Sequence, residues 1–447
     1  NNFEIIDLGV MTPCEEILDT AIKENVDIIG LSGLITPSLD EMIHVASEME
    51  KRNMKIPLII GGATTSKVHT ALKIDPNYSR PVVYGYDASK TVEICKNLLG
   101  EKKEEFIKFN KEDYEKQRIN YGSIKRKMVT LEEARKNKFS IDWEKTKIDK
   151  PNFIGIKEIT NYTISDLRKY IDWTFFFVGW GMKKLYPNIL EDETYGEEAK
   201  KLFDDANKML DFLEENNVLE INGVLGIFEA NSKGEDIELY GDDGSIIETF
   251  NLFRQQVEKK DGNYLCLSDF VASKESNKKD YVGGFIVTAG IGADEYAKKL
   301  KCEGDEYGAI MIKLVCDRLA EAFAEKLHED VRKNYWGYAQ DEELSMKEIL
   351  QVKYRGIRPA FGYSSLIDQS QMEKLFKLLD GERITKVKLT ESFMMDPVSS
   401  VSGLYFASEY SRYFDADKID NDQAEDYLIR SGEKVEKLQK IMPGIFK

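Results

Sequence analysis

Positive charge, histidine, paired cysteines and long apolar runs are what this chain has little of. Lys and Arg number 63 against 80 Asp and Glu, a formal charge of −17, so no basic surface is expected that could neutralise a phosphate backbone, and nucleic-acid binding is excluded as a function class. Only three histidines occur (His44, His69, His328), and the five cysteines (Cys14, Cys95, Cys266, Cys302, Cys316) stand nowhere in C-x-x-C spacing. A protein zinc site is therefore not expected here, and the cysteines read as reduced thiols. No apolar run approaches the roughly 20 residues a membrane-spanning helix needs, and no secretion-signal pattern opens the chain. A soluble cytoplasmic protein with neither nucleic-acid nor membrane partners is the expectation.

What is present is enough for two or three domains: 447 residues, 42% hydrophobic and 32% charged. Over 1–101 strand and helix signals alternate, with strands expected at 4–10, 27–34, 56–60 and 82–86. After Thr36, a natural cap, and Pro37, the residues Leu39, Met42, Ile43, Ala46 and Met49 form one helical stripe. Apolar strands alternating with amphipathic helices predict a parallel, doubly wound α/β sheet of flavodoxin-like (Rossmann-like) form, truncated at its N-terminus because the first strand begins almost at residue 1. Residues 102–151 are charged and poor in apolar side chains, and read as a linker with some helix. From 152 to 447 the pattern mixes helices (196–214, 307–332) with strands (236–240, 264–267, 284–288, 387–390, 402–406), predicting an α+β domain with a mixed or antiparallel sheet and helices.

Two places carry chemistry. In the first domain, Ser32-Gly33 and Gly61-Gly62-Ala63-Thr64-Thr65 lie at the carboxyl ends of parallel strands, where open α/β sheets bind ligands. The alternative is that these residues only make tight turns. In the second domain, Arg358-Pro-Ala-Phe-Gly-Tyr363 sets an arginine beside a rigid proline and a permissive glycine, a layout suited to holding a ligand carboxylate. On the preceding helix the apolar stripe is Ile312, Val315, Leu319, Phe323 and Leu327. Off that stripe, Asp317, Glu321 and Glu325 form an i, i+4 column whose mutual repulsion suggests a nearby cation. A solvated column partnered by Arg318 and Lys326 is the alternative. The segment Ala289-Gly-Ile-Gly-Ala293 lacks the third glycine of a dinucleotide loop and is read as a turn.

The segments 27–42 and 60–67 together resemble the cobalamin-binding domain of the cobalamin-dependent methionine synthases. The second domain resembles the same family's activation domain, through Tyr170-Ile-Asp-Trp-Thr174, Leu190-Glu-Asp-Glu193, the run 317–325, Tyr335-Trp-Gly-Tyr338, the segment 358–363, Leu389-Thr-Glu-Ser392 and Val401-Ser-Gly403. The two resemblances run in the family's order over nearly the whole chain. They imply cobalamin (methylcobalamin) contacts at Ser32, Thr36, Ser38, Gly61, Gly62 and Ala88. The D-x-H-x-x-G motif that supplies the family's cobalt ligand does not occur, so neither His44 nor His69 is expected on the metal, and weak cobalamin binding is expected of this chain. They imply S-adenosylmethionine contacts at Asp172 and Glu321 for its cationic part, Arg358 for its carboxylate, Ala360, Gly362 and Tyr363 for backbone and packing, and Tyr413 near the adenosine. Phe414 follows, where relatives can carry Tyr.

By resemblance the whole enzyme is a methyltransferase that passes a methyl group from methyltetrahydrofolate through cobalamin to homocysteine. This part reactivates oxidised cobalamin with S-adenosylmethionine and one electron from a flavodoxin-like donor. Its other implied partners are the homocysteine and folate domains of the same enzyme, where zinc also resides. A non-catalytic corrinoid or S-adenosylmethionine module serving a separate methyltransferase, and a flavodoxin-like FMN or nucleotide sensor, stay open. Since Arg358 reads as a turn residue, its truncation is expected to weaken ligand binding and leave the melting temperature unchanged.

Overall fold

The computed structural model describes residues 3–10, 12–33, 37–62, 64–85, 88–100, 102–122, 127–260, 262–416 and 418–441. By its contacts the chain divides after residue 127 into two compact units. No helix among the described residues is long and apolar enough to cross a membrane.

In the first unit, strands β1 (Ile29–Ser32), β2 (Leu58–Gly61) and β3 (Val82–Tyr84) form a parallel sheet in that order, with Ile29 opposite Leu58 and Leu58 opposite Val82. Alternation along β2 decides what each face covers. Leu58 and Ile60 pack with Leu18 of helix Cys14–Lys23 and with Met42, Ala46 and Met49 of helix Pro37–Lys51, while Ile59 packs with Val83 and with Ile94 and Leu98 of helix Ala88–Leu99. Both faces are therefore buried, the flavodoxin-like arrangement.

Residues 4–10, expected as a strand, take no regular structure. Ile5 and Val10 are 83% and 63% exposed, and residues 4–10 pair with no described strand, so their apolar alternation is not used.

The stretch expected as a linker carries the helix Lys103–Gly122, which packs in the first unit. The hydroxyl of fully buried Tyr114 accepts the Tyr84 N–H at 2.9 Å, and Asn110 donates to the Val82 carbonyl at 2.9 Å, so side chains satisfy backbone groups along β3. Residues 128–151 join the second unit instead: the Leu131 N–H donates to Asp422 at 2.6 Å and the Trp336 indole to the Asp149 carbonyl at 2.9 Å.

The second unit is built on an antiparallel sheet in the order β11 (Ser400–Tyr405), β8 (Asp280–Ile291), β5 (Glu220–Lys233), β6 (Asp236–Tyr240), β7 (Ile246–Asn251), with β4 (Gly155–Ile159) also paired to β5. Strands β9 (Lys388–Leu389) and β10 (Met395–Asp396) pair apart from it. One face carries Leu225, Ile227, Phe285 and Val287 against the helices Gly196–Glu215 and Glu306–Asp330. The other carries Val224, Phe228, Val282 and Ile286 against Leu375, Phe376 and Leu379.

Residues 264–267 are not a strand: Tyr264 makes one bridge to Lys138, and a 3-10 turn follows at Leu267–Phe270. Sequence periodicity misses β5, because Gly223 and Gly226 interrupt its apolar alternation. Packing explains the first of these, since a Cβ on Gly223 would stand 2.8 Å from Phe323 Cζ and push the long helix off the sheet. The segment 289–293 ends β8 and opens helix Ala293–Cys302 through Gly292 at φ +94°.

Candidate functional site

The long helix Glu306–Asp330 keeps its stripe Ile312, Val315, Leu319, Phe323 and Leu327 fully buried, which turns the acidic column toward another side. The three carboxylates then diverge. Asp317 accepts from Ser399 Oγ at 2.5 Å, and burial raises its pKa from the ordinary aspartate value. Glu325 pairs with Arg358 through Oε2 at 2.8 Å. Glu321 between them is half-buried and makes no hydrogen bond or ion pair with any described residue. The cations proposed as surface partners are engaged elsewhere: Lys326 with Asp330 at 2.7 Å, and Arg318 over the Phe175 ring at 5.8 Å.

Asp172 caps the short helix Trp173–Gly179 by accepting the Thr174 N–H at 2.9 Å. That helix runs antiparallel along the long one. Phe175 lies by Arg318, a Cβ on Gly179 would touch Leu314 at 2.9 Å, and on the other side Lys326 stands over Tyr170 at 5.9 Å. Asp172 therefore falls between the levels of Arg318 and Lys326, the stretch that holds Glu321 and Glu325.

The segment 358–363 is not a surface turn. It continues the sheet beside β11: Ile357 bridges Phe406, Ala360 bridges Gly403, and the Leu404 N–H donates to the Pro359 carbonyl at 3.0 Å. Gly403 makes this approach possible, for a Cβ there would stand 2.4 Å from that same carbonyl oxygen. Gly362, at φ +84°, turns the chain, and its N–H donates to the Leu366 carbonyl at 2.9 Å. Tyr363 is left 55% exposed. The Arg358 N–H donates to the Tyr413 hydroxyl at 3.0 Å, bringing Tyr413 into the group. Phe414 turns the other way, its ring buried edge-on against Phe270 at 6.2 Å and packed in the core. Alternation along the chain accounts for the split between these neighbours.

The Arg358 side chain is only 17% exposed. Burial works against its charge, but Glu325, then Tyr354 and Glu321, outweigh it and hold its pKa above the ordinary arginine value. Behind it lies a polar cluster that sequence reasoning did not single out. His328 stacks on Tyr405 at 5.1 Å and meets Tyr354 edge-on at 4.8 Å, and Arg332 lies over Tyr354 at 4.2 Å while pairing with Glu342 at 2.7 Å. Burial, then Arg332 and Arg358, holds His328 well below its usual pKa and keeps it neutral. Buried atoms here without a protein hydrogen-bond partner include Glu325 Oε1, Arg358 Nε, His328 Nδ1 and Tyr405 Oη. The acidic column pointed to Glu325, but spacing alone does not tell which of three carboxylates turns inward.

In the first unit, Ser32 and Gly61 are register partners at the carboxyl ends of β1 and β2. The two loops beyond interlock through glycines. The Gly33 N–H donates to the Gly61 carbonyl at 3.0 Å, and a Cβ on Gly62, at φ +106°, would stand 2.2 Å from Gly33 O. Ser38 reaches the same junction, its Cβ 2.9 Å from where a Gly33 Cβ would be. Ser32, Ser38, Gly61 and Gly62 are thus brought together. Ala88 starts the helix after β3, with its side chain outside the described set, and Thr36 lies outside the described residues altogether. His44 is exposed on its helix.

Comparison with known proteins assigns both units. The family model "Vitamin B12 dependent methionine synthase, activation domain" matches residues 163–432, and "B12 binding domain" matches residues 1–87. Among solved structures, the crystal structure of the MetH reactivation domain bound to AdoHcy is similar, with 46% identity, 71% of this chain and 98% of that chain covered, and a TM-score of 0.69.

Proposed function

Because the chain belongs to the family of the vitamin B12-dependent methionine synthase activation domain, with a B12-binding domain ahead of it, we propose that it binds cobalamin and S-adenosylmethionine to return an inactive cobalamin to its methylated state. The observation that carries this reading is the site on the second unit, where a buried arginine paired with Glu325 also feels the charge of Glu321, a carboxylate that no described residue satisfies. S-adenosylmethionine needs that pair: an anion for its α-ammonium and sulfonium, and a forked cation for its carboxylate.

The residues present fit the ligand. Arg358 keeps a buried Nε without a protein partner, and Glu321 is unpaired. In this assignment Arg358 holds the carboxylate, and Glu321 with Asp172 faces the cationic centre. Ala360, Gly362 and Tyr363 line the backbone side, and Tyr413 lies toward the adenosine. The similar reactivation domain bound to AdoHcy, the demethylated form of the same ligand, supports it. When bound, S-adenosylmethionine supplies a methyl group on a positively charged sulfur.

In the first unit, the glycines let the two loops interlock at the carboxyl ends of β1 and β2, the end of the sheet where open α/β folds bind ligands, and the cobalamin nucleotide tail is assigned there among Ser32, Thr36, Ser38, Gly61, Gly62 and Ala88. Cobalamin, when bound, supplies the cobalt that accepts the methyl group. As parts of the same proposal, the chain works inside a cytoplasmic methyltransferase making methionine, whose homocysteine and folate domains carry the zinc chemistry, with a flavodoxin-like electron donor. The proposed cobalamin and S-adenosylmethionine domains are 1–101 and 152–447 with 102–151 between them, of which 103–122 packs with the first unit and 128–151 with the second. Calorimetric titration of the chain with S-adenosylmethionine and with AdoHcy tests the reading. Saturable binding of both, lost in Glu321→Gln/Arg358→Ala, is expected, and no binding of either overturns it.

A further inference from the structure

The proposed carboxylate-binding arginine is held from behind by one side chain, and the geometry points to Glu325 as the positioning residue for Arg358, an inference that rests on the ligand reading above. Three observations carry it. The pair is end-on: Arg358 Nη2 donates to Glu325 Oε2 at 2.8 Å, and the other carboxylate oxygen has no partner, so a single bond fixes the guanidinium and leaves the rest of the fork for a second anion.

Depth supplies the second observation. The Glu325 side chain is 8% exposed and that of Arg358 17%, so a ligand arriving from solvent meets the arginine before the glutamate. Glu325 therefore supports Arg358 and does not compete with the ligand for it.

The third is the character of the surroundings. His328 is neutral, Arg332 is taken by Glu342, and Tyr354 and Tyr405 are aromatic walls, which leaves Glu325 as the carboxylate bonded to Arg358 among the described residues. A buried guanidinium needs a counter-charge before any ligand arrives, and without one it either leaves the site or withdraws toward solvent. Glu325 supplies that charge permanently, from a helix whose apolar stripe is locked in the core. The arginine is thus pre-oriented in the free protein, and ligand binding does not have to order it.

The test compares two ligands that differ at the α-amino acid end. AdoHcy carries the carboxylate; 5′-methylthioadenosine shares the thioether nucleoside and lacks it. Glu325→Gln is expected to weaken AdoHcy binding roughly tenfold to a hundredfold while 5′-methylthioadenosine binding changes less than about twofold, because only the first ligand uses Arg358. In an Arg358→Ala background the same Glu325→Gln change is expected to have no further effect on AdoHcy. Glu325→Asp, which keeps the charge on a shorter arm, is expected to fall between wild type and Glu325→Gln. Equal losses for both ligands would reduce Glu325 to a general structural role, and unchanged or tightened AdoHcy binding in Glu325→Gln would overturn the inference outright. If Arg358→Ala itself leaves AdoHcy affinity unchanged, the carboxylate assignment of Arg358 is what fails.

Discussion

Truncating Arg358 to Ala is the perturbation with the most to teach, because the structure changes what should be expected of it. Read as a turn residue, Arg358 would matter to ligand only. Its side chain instead lies 17% exposed against a carboxylate that is 8% exposed, with the second oxygen of that carboxylate already lacking a partner. Removing the guanidinium strands Glu325 in the interior with neither oxygen paired. Breaking a buried ion pair from one side costs about 3–5 kcal/mol, whereas removing both charges together is often near neutral. At about 2 °C per kcal/mol for a unit of this size, Arg358→Ala should melt roughly 6–10 °C below wild type, and Arg358→Ala/Glu325→Gln should recover at least half of that. AdoHcy affinity should follow a different order: both variants lose about 2–4 kcal/mol, roughly 30- to 1000-fold, and the double variant regains none of it. Thermal melts and calorimetric titrations of the three proteins decide the matter. A double variant no more stable than Arg358→Ala would show that Glu325 is not stranded, and the buried-pair reasoning would be wrong.

Other consequences follow from single contacts. Asp280 is raised to about 6 by burial, against the pull of the Ala272 and Tyr281 N–H groups at 2.8 and 2.7 Å. The folded state therefore holds this proton more tightly than the unfolded chain does, so its contribution is complete below the unfolded value of 3.8 and about 3 kcal/mol is lost as pH rises to about 6. Denaturant melts across that window should show the decline in wild type and a flatter profile in Asp280→Asn. Gly403→Ala places a Cβ 2.4 Å from the Pro359 carbonyl and should push 358–363 off β11, weakening AdoHcy binding more than tenfold by calorimetry, with roughly 1–3 kcal/mol of stability lost. Gly62→Ala adds positive-φ strain to a 2.2 Å clash and should lower the unfolding midpoint of the first unit, followed by hydrogen exchange at β1 and β2, without moving that of the second.

How much of this was legible in the sequence depends on whether the signal was local. The parallel sheet was, because Leu58, Ile59 and Ile60 are apolar on both faces and the helix stripe at Leu39 to Met49 is unbroken. Residues 4–10 misled for the reason that makes strand signals weak: alternation shows that a strand could be half-buried, while only a neighbouring edge makes it one. The long strand β5 hid behind two glycines that exist because Phe323 and Leu379 press on the sheet, a constraint set by residues about 100 and 150 positions away. The site divides in the same way. The arginine, the proline and the acidic column are visible as residue types at fixed spacing. That Asp317 turns to Ser399, Glu325 to Arg358 and Glu321 to neither is decided by where β11 and the 358–363 segment meet the helix, and that junction exists only after the sheet has formed. Phe414 makes the point from the other side: it adjoins a site residue in sequence, yet one step of alternation sends Tyr413 to Arg358 and Phe414 to Phe270. Adjacency in the chain therefore says little about which way a side chain faces, and the useful unit of inference is the side chain's direction from its own backbone.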